Sequence, residues 1–156
     1  MILAIDPGPQ QSGYVLFNER TQAIVDKGVL DNSRMLAKVR DWATEGATCA
    51  IEMVASYGMT VGAEVFDTCV WIGRFYEAWT WLQWKRPPTL IYRKDVKLHL
   101  CGQTKGVNDA VIRQRLIDLF GAPGRKKSQG PTYGMTSHMW PALAVAVTAA
   151  AQRAIA

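Results

Sequence analysis

Apolar residues fall into short runs at the start of the chain, over residues 2–5, 13–17 and 23–30, with polar turns at 7–12 and 18–22 between them. Short apolar runs joined by turn residues predict three successive strands in an antiparallel meander. The period then changes. Asn32 and Ser33 stand as a cap before Met35, Val39 and Trp42, which recur at helical spacing and predict an amphipathic helix ending near Glu45 and Gly46. A fourth strand follows over 48–52. Residues 64–83 carry Phe66, Val70, Ile72, Phe75, Trp79 and Leu82, an apolar pattern wider than one buried helix face needs, so the excess is a candidate dimer surface. Pro87 and Pro88 end that helix and residues 89–92 read as a fifth strand. A helix over 108–120 is stopped by Gly121, a basic loop covers 121–134, and an alanine-rich helix from about 137 to 155 turns Leu143, Val145 and Val147 toward the core.

The order of three strands, helix, strand, helix, strand, helix, helix predicts an α/β fold. An antiparallel meander extended by parallel strands through helical crossovers gives a mixed five-stranded sheet flanked by helices. No Gly/Ser/Pro-rich linker divides the 156 residues, so one domain over 1–156 is expected. A hydrophobic share of 49% with 20% charged residues places the chain among globular proteins and excludes the disordered class. Asp6 interrupts the first apolar run too early for a signal peptide, and no stretch is long enough to span a membrane. Cys49, Cys69 and Cys101 have neither disulfide-framework nor metal-ligand spacing and read as reduced, mostly buried thiols, which points to the cytoplasm. The formal charge of +5 favours a polyanionic partner, with nucleic acid the leading candidate.

Candidate chemistry lies where the apolar runs end. Asp6 closes the first strand and turns through Pro7 and Gly8 toward Gly13, and glycine at both positions leaves room for close approach. Glu52 is the single acid in the apolar run Cys49-Ala50-Ile51-Glu52-Met53-Val54. An Asp after a strand often does no more than satisfy turn amides. A carboxylate inside an apolar run is another matter, because its burial is costly unless it is paired or binds a cation. Two such acids at the ends of two hydrophobic strands suggest a metal site.

The element order resembles the ribonuclease H-like fold. Within it, Ile5-Asp6-Pro7-Gly8 with Gly13, Ile51-Glu52, and the helix segment Ala142-Leu143-Ala144-Val145-Ala146-Val147-Thr148 resemble the RuvC-type Holliday junction resolvases of bacteriophages. The stretches 93–97 and 111–118 share that likeness, which covers nearly the whole chain. The resemblance implies a homodimeric endonuclease, dependent on Mg2+ or Mn2+, that introduces paired nicks into branched DNA such as four-way junctions. Carboxylates holding two divalent ions about 4 Å apart suit in-line displacement at phosphate, and hard oxygen ligands suit magnesium or manganese. By the same resemblance Asp6, Glu52 and His138 are the expected catalytic residues and metal ligands.

One position departs from the family pattern. The last helix of the family carries two acids one turn apart, where this chain has His138 and Pro141. A neutral imidazole can ligate a divalent ion or orient water, whereas proline can do neither. Glu64, Asp67 and Asp109 are alternative ligands, although acids in first helical turns more often offset the helix dipole. Expected DNA contacts are Lys105, the loop residues Arg125, Lys126 and Lys127, and Tyr133, with Arg93, Lys94, Lys97, Arg113 and Arg115 extending the basic track. Tyr57 and Tyr133 are candidates for stacking on unpaired bases, and Trp71, Trp79, Trp81 and Trp84 for core or dimer interface.

Two other classes compete. Sugar kinases and actin-like ATPases share a strand-Asp-Gly turn, but they need a second such domain, and no nucleotide-binding fingerprint is present. A resolvase-like protein that binds branched DNA without cutting it is the closer alternative, and Pro141 is the residue that favours it.

Overall fold

The computed structural model describes residues 1–155. Strands β1 (Ile2–Asp6), β2 (Gln11–Asn18) and β3 (Ala23–Asp31) form the expected meander, followed by helix α1 (Asn32–Thr44), strand β4 (Thr48–Met53), helix α2 (Ala63–Leu82) and strand β5 (Thr89–Tyr92). Beyond β5 come α3 (Arg93–Cys101), α4 (Asp109–Phe120), a small hairpin of β6 (Gly124–Arg125) and β7 (Ser128–Gln129), and α5 (Met139–Ile155). The five-stranded sheet runs β3-β2-β1-β4-β5. Its β1·β2 and β2·β3 pairs are antiparallel, and its β1·β4 and β4·β5 pairs are parallel. This is the mixed α/β sheet that the hydrophobic pattern predicts.

Strand β1 sits at the centre, and both of its faces are covered. Leu3 and Ile5 pack with Met35, Val39, Ile72, Phe75 and Trp79 under α1 and α2. Ile2 and Ala4 pack with Ile91, Val96, Ile112, Leu116 and the Ala142 to Ala146 run of α5. A strand buried on both faces reads as an unbroken apolar run, which is why Ile2-Leu3-Ala4-Ile5 shows no polar alternation. The period of two then fixes the site. Asp6 continues the face of Ile2 and Ala4, and Glu52 continues the face of Ala50, so both acids emerge on the side covered by α5.

Three expectations need correction: the cap of α1, the chain after β5 and the burial of the thiols. Helix α1 is capped by Asp31, whose carboxylate accepts from the Arg34 amide at 3.0 Å, and not by Asn32 or Ser33. Asn32 is instead buried: its amide donates to the Gly8 carbonyl at 2.9 Å and its Oδ1 accepts from the Ser12 hydroxyl at 2.6 Å. Helix α3 is additional, a nine-residue element that ends at Gly102 in the left-handed conformation. It is polar on most sides, with Val96 its one fully buried residue, so no apolar stripe announces it. The four tryptophans divide: Trp79 is in the core, Trp71 packs against it, and Trp81 and Trp84 are exposed. Among the thiols only Cys49 is buried, and Cys69 and Cys101 are partly exposed. Among the described residues no helix is long and apolar enough to cross a membrane.

Candidate active site

Parallel pairing of β1 with β4 in the register Ile5↔Ile51 brings Asp6 and Glu52 side by side at the same end of the sheet. Their side chains are 18% and 13% exposed, too buried for water to screen one charge from the other. Burial and the neighbouring Glu52 carboxylate, which also shares a hydrogen bond with it, push the Asp6 carboxyl up to about 8, and the Arg93 guanidinium only partly offsets this. A pair of carboxylates with too little positive charge between them is poised to take a proton or a cation.

Two devices shape the turn that carries Asp6. Asn32 ties it down through Gly8 and Ser12, and its own amide donates to the Gln10 carbonyl at 3.0 Å. Gly13 faces Asp6 in the β1·β2 ladder, and a Cβ there would lie 2.0 Å from the His138 carbonyl oxygen. The glycine therefore makes room for the chain itself, because the segment before α5 presses directly onto β2.

His138 immediately precedes α5, with its imidazole half exposed and Nδ1 3.8 Å from Asp6 Oδ2. The expected third group thus lies beside the pair, at the rim. Among the described residues, however, no group of three His, Cys, Asp or Glu side chains converges closely enough to hold a metal ion. Pro141 is the third residue of α5, where the absent amide has no helical partner to lose. Glu64 lies exposed in the first turn of α2, Asp67 lies exposed in the next, and neither joins such a group. Asp109, the first residue of α4, pairs with Arg93.

Arg93 is the residue whose place the sequence left open. It opens α3 directly after β5, and β5 pairs with β4 in the register Glu52↔Ile91, so its side chain reaches back to the acid pair with Nη1 3.5 Å from Glu52 Oε1. The signal that finds it is the short distance from the strand end, two residues beyond Ile91. Arg93 also lines two clefts, one shared with Tyr57, Lys94, Lys97 and Thr104, the other with Arg113, Trp140 and Pro141. Tyr57 is 60% exposed across from these cations. Lys105 is exposed in the turn between α3 and α4. Arg125, Lys126 and Lys127 lie on the exposed β6–β7 hairpin, so the expected loop has a defined turn, closed by the Gly130 amide donating to the Pro123 carbonyl at 2.8 Å. Tyr133 is half-buried beyond it.

A mixed sheet of this order flanked by helices is the ribonuclease H-like fold, in the form seen in RuvC. The chain superposes on Thermus thermophilus RuvC solved in complex with a Holliday junction substrate with a TM-score of 0.72, at 17% identity, covering 98% of this chain and 94% of that one. A second Thermus thermophilus RuvC structure matches with a TM-score of 0.66 at 18% identity, over 98% and 95% of the two chains. No protein-family model and no curated protein sequence matches.

Proposed function

We propose that this protein is a structure-selective, divalent-metal-dependent endonuclease that resolves four-way junctions, or other branched DNA, by paired nicks. The observation that carries the reading is the apposition of Asp6 and Glu52 on adjacent parallel strands, under-compensated in charge, on a fold shared with a RuvC solved on a Holliday junction. The donor set fits a hard cation: two carboxylates that repel one another, with an imidazole at the rim. Asp6 and Glu52 would hold Mg2+ or Mn2+, with His138 as a further ligand or a group that orients water. The ion, when bound, supplies Lewis acidity and neutralises charge at a phosphoryl oxygen.

The chain's own residues do the rest. In the net reaction a water oxygen bonds to phosphorus, an ester P–O bond breaks, and the leaving oxygen takes up a proton. His138, whose Nδ1 is 3.8 Å from Asp6 Oδ2, would orient that water or accept its proton. Lys105, Arg125, Lys126 and Lys127 hold backbone phosphates without reading sequence, so binding weakens steeply with salt. Tyr133 offers a ring for an unpaired base. Paired nicks need two sites, and a homodimer through α2 would supply them, since Phe66, Val70 and Trp81 stand exposed on that helix.

The second reading, branched-DNA binding without cleavage, is favoured by Pro141 beside the site and by the lack of a converged three-ligand group. Cleavage of a labelled four-way junction with Mg2+ or Mn2+, beside linear duplex, separates the two. Wild type should nick the junction symmetrically, and Asp6→Asn should lose at least roughly 1,000-fold in rate while still binding it. Undiminished cutting by Asp6→Asn would reject the assignment. Tight binding by wild type without nicks under either metal would establish the second reading.

A further inference from the structure

Arg93 joins the acid pair to both neighbouring clefts. Its side chain is 24% exposed, Nη1 lies 3.5 Å from Glu52 Oε1, and Nη2 pairs with Asp109 on α4. The cleft on one side, of about 240 Å³, is lined with Tyr57, Lys94 and Lys97. That on the other, of about 590 Å³, is lined with Arg113, Trp140 and Pro141. Arg93 is the residue common to the linings of both clefts.

The donors near this point suit one divalent ion better than two. A two-ion site needs a carboxylate shared between the ions and further oxygen donors private to each. Asp6 and Glu52 come together, but the neighbour on the Glu52 side is a guanidinium, which donates and never accepts. On the α5 side the one side-chain donor among the described residues is the His138 imidazole, a half-exposed nitrogen 3.8 Å from Asp6, and Pro141 adds no oxygen beside it. Arginine keeps its charge at any accessible pH, and its planar fork matches two phosphoryl oxygens. Its partner Asp109 is 86% exposed, so water screens that pairing and a phosphate can replace it.

The geometry points to a site in which one divalent ion at Asp6 and Glu52 acts together with the Arg93 guanidinium as a second, fixed cation on the same phosphodiester, while Asp109 positions Arg93 between encounters. This rests on the nuclease reading above. Arg93 gains and loses no proton in the reaction. It holds the phosphate at binding and offsets the negative charge that accumulates on the non-bridging oxygens as water attacks and the ester bond breaks.

The test counts bound Mn2+ by electron paramagnetic resonance and measures single-turnover nicking, on the full chain with a four-way junction, for wild type, Arg93→Ala and Arg93→Lys. Asp6→Asn with the same junction supplies the background of ions bound to DNA. Wild type should bind one ion per chain above that background. Arg93→Ala should bind Mn2+ several-fold more tightly, because a repelling charge is gone, yet nick at least roughly 100-fold more slowly at saturating Mn2+ and junction. Arg93→Lys should recover only part of the rate, since it keeps the charge without the fork, and it guards against misfolding of the alanine variant. Two ions per chain in wild type, or full-rate nicking by Arg93→Ala, overturns the inference. A wild type that binds Mn2+ and junctions without nicking removes the nuclease reading alone. In that case Arg93→Ala must lose at least roughly tenfold in Mn2+-stimulated junction affinity, and unchanged affinity overturns the inference.

Discussion

Asp6 on β1 and Asp26 on β3 belong to the same sheet, and their neighbours push them in opposite directions. Around Asp26 the groups are donors: the Lys38 ammonium at 2.8 Å, the Tyr14 hydroxyl at 3.1 Å and the Lys27 amide at 2.8 Å. Burial alone would raise the Asp26 carboxyl, but these donors outweigh it and hold the group below the usual carboxylate range. Lys38 also lies over the Tyr14 ring, 4.3 Å from its centroid, and that ring packs over Gly28, where a Cβ would come within 2.8 Å of it. Around Asp6 the groups are a second carboxylate, the His138 imidazole at the rim and one guanidinium, and burial with the Glu52 carboxylate raises its carboxyl without adequate compensation. The first cluster is finished as folded. The second is left short of positive charge, which is the arrangement expected where a cation or a phosphate-bound cation completes the site.

The comparison is broken most severely by Asp6→Asn in protein free of divalent ions. A carboxyl whose folded-state pKa lies above its unfolded value contributes stability at acid pH and loses it as pH rises through the folded value. Wild-type stability should therefore fall between about pH 4 and pH 8 on account of Asp6. Asp6→Asn removes the repulsion with Glu52, so at pH 8.5 it should melt at least roughly 3 °C higher than wild type. Melting followed by circular dichroism checks this, and a lower melting temperature would contradict the charge argument.

Divalent ions sharpen the contrast next. Millimolar Mg2+ or Mn2+ should raise the wild-type melting temperature at pH 8.5 by mass action and leave Asp6→Asn unmoved. An equal rise in both proteins would place the ion elsewhere.

The smallest effect is expected at Asp26. Its lowered folded-state pKa gives stability that is present above about pH 4 and lost as pH falls through the folded value, the reverse of Asp6. The Asp26 side chain is 43% exposed, so solvent screens the pair and Lys38→Met should cost only about 0.5–1 kcal/mol at pH 7. Urea unfolding at pH 7 and pH 3 measures this, and the cost should shrink at pH 3 as Asp26 takes up a proton.

Much of this was legible in the chain. The strand-turn-strand opening, the acids closing two apolar runs and the glycine at position 13 follow from local pattern, and they locate Asp6 and Glu52 before any contact is known. Helix α3 was not legible, because a short polar helix is held by the Asp95 carboxylate, which accepts from the Tyr92 amide at 3.2 Å, and by one buried valine, neither of which makes a periodic stripe. The cap of α1 lies one residue before the expected one for a similar reason: Asp31, Asn32 and Ser33 are all capping types, and only the long-range bonds of Asn32 to Gly8 and Ser12 reserve it for another task.

The sequence by itself determined the five-stranded sheet, the burial of β1 on both faces and the two acids that end its central strands, since hydrophobic periodicity and turn chemistry act over a few residues. Tertiary structure decided which side chains meet those acids. Arg93 reaches Glu52 across 41 positions of chain, as the numbering of the two residues gives, because β4 and β5 pair in parallel. His138 comes within 3.8 Å of Asp6 because Gly13 lets the start of α5 press onto β2. Charges act through space, so the electrostatics of the site exist only once strands distant in sequence are side by side.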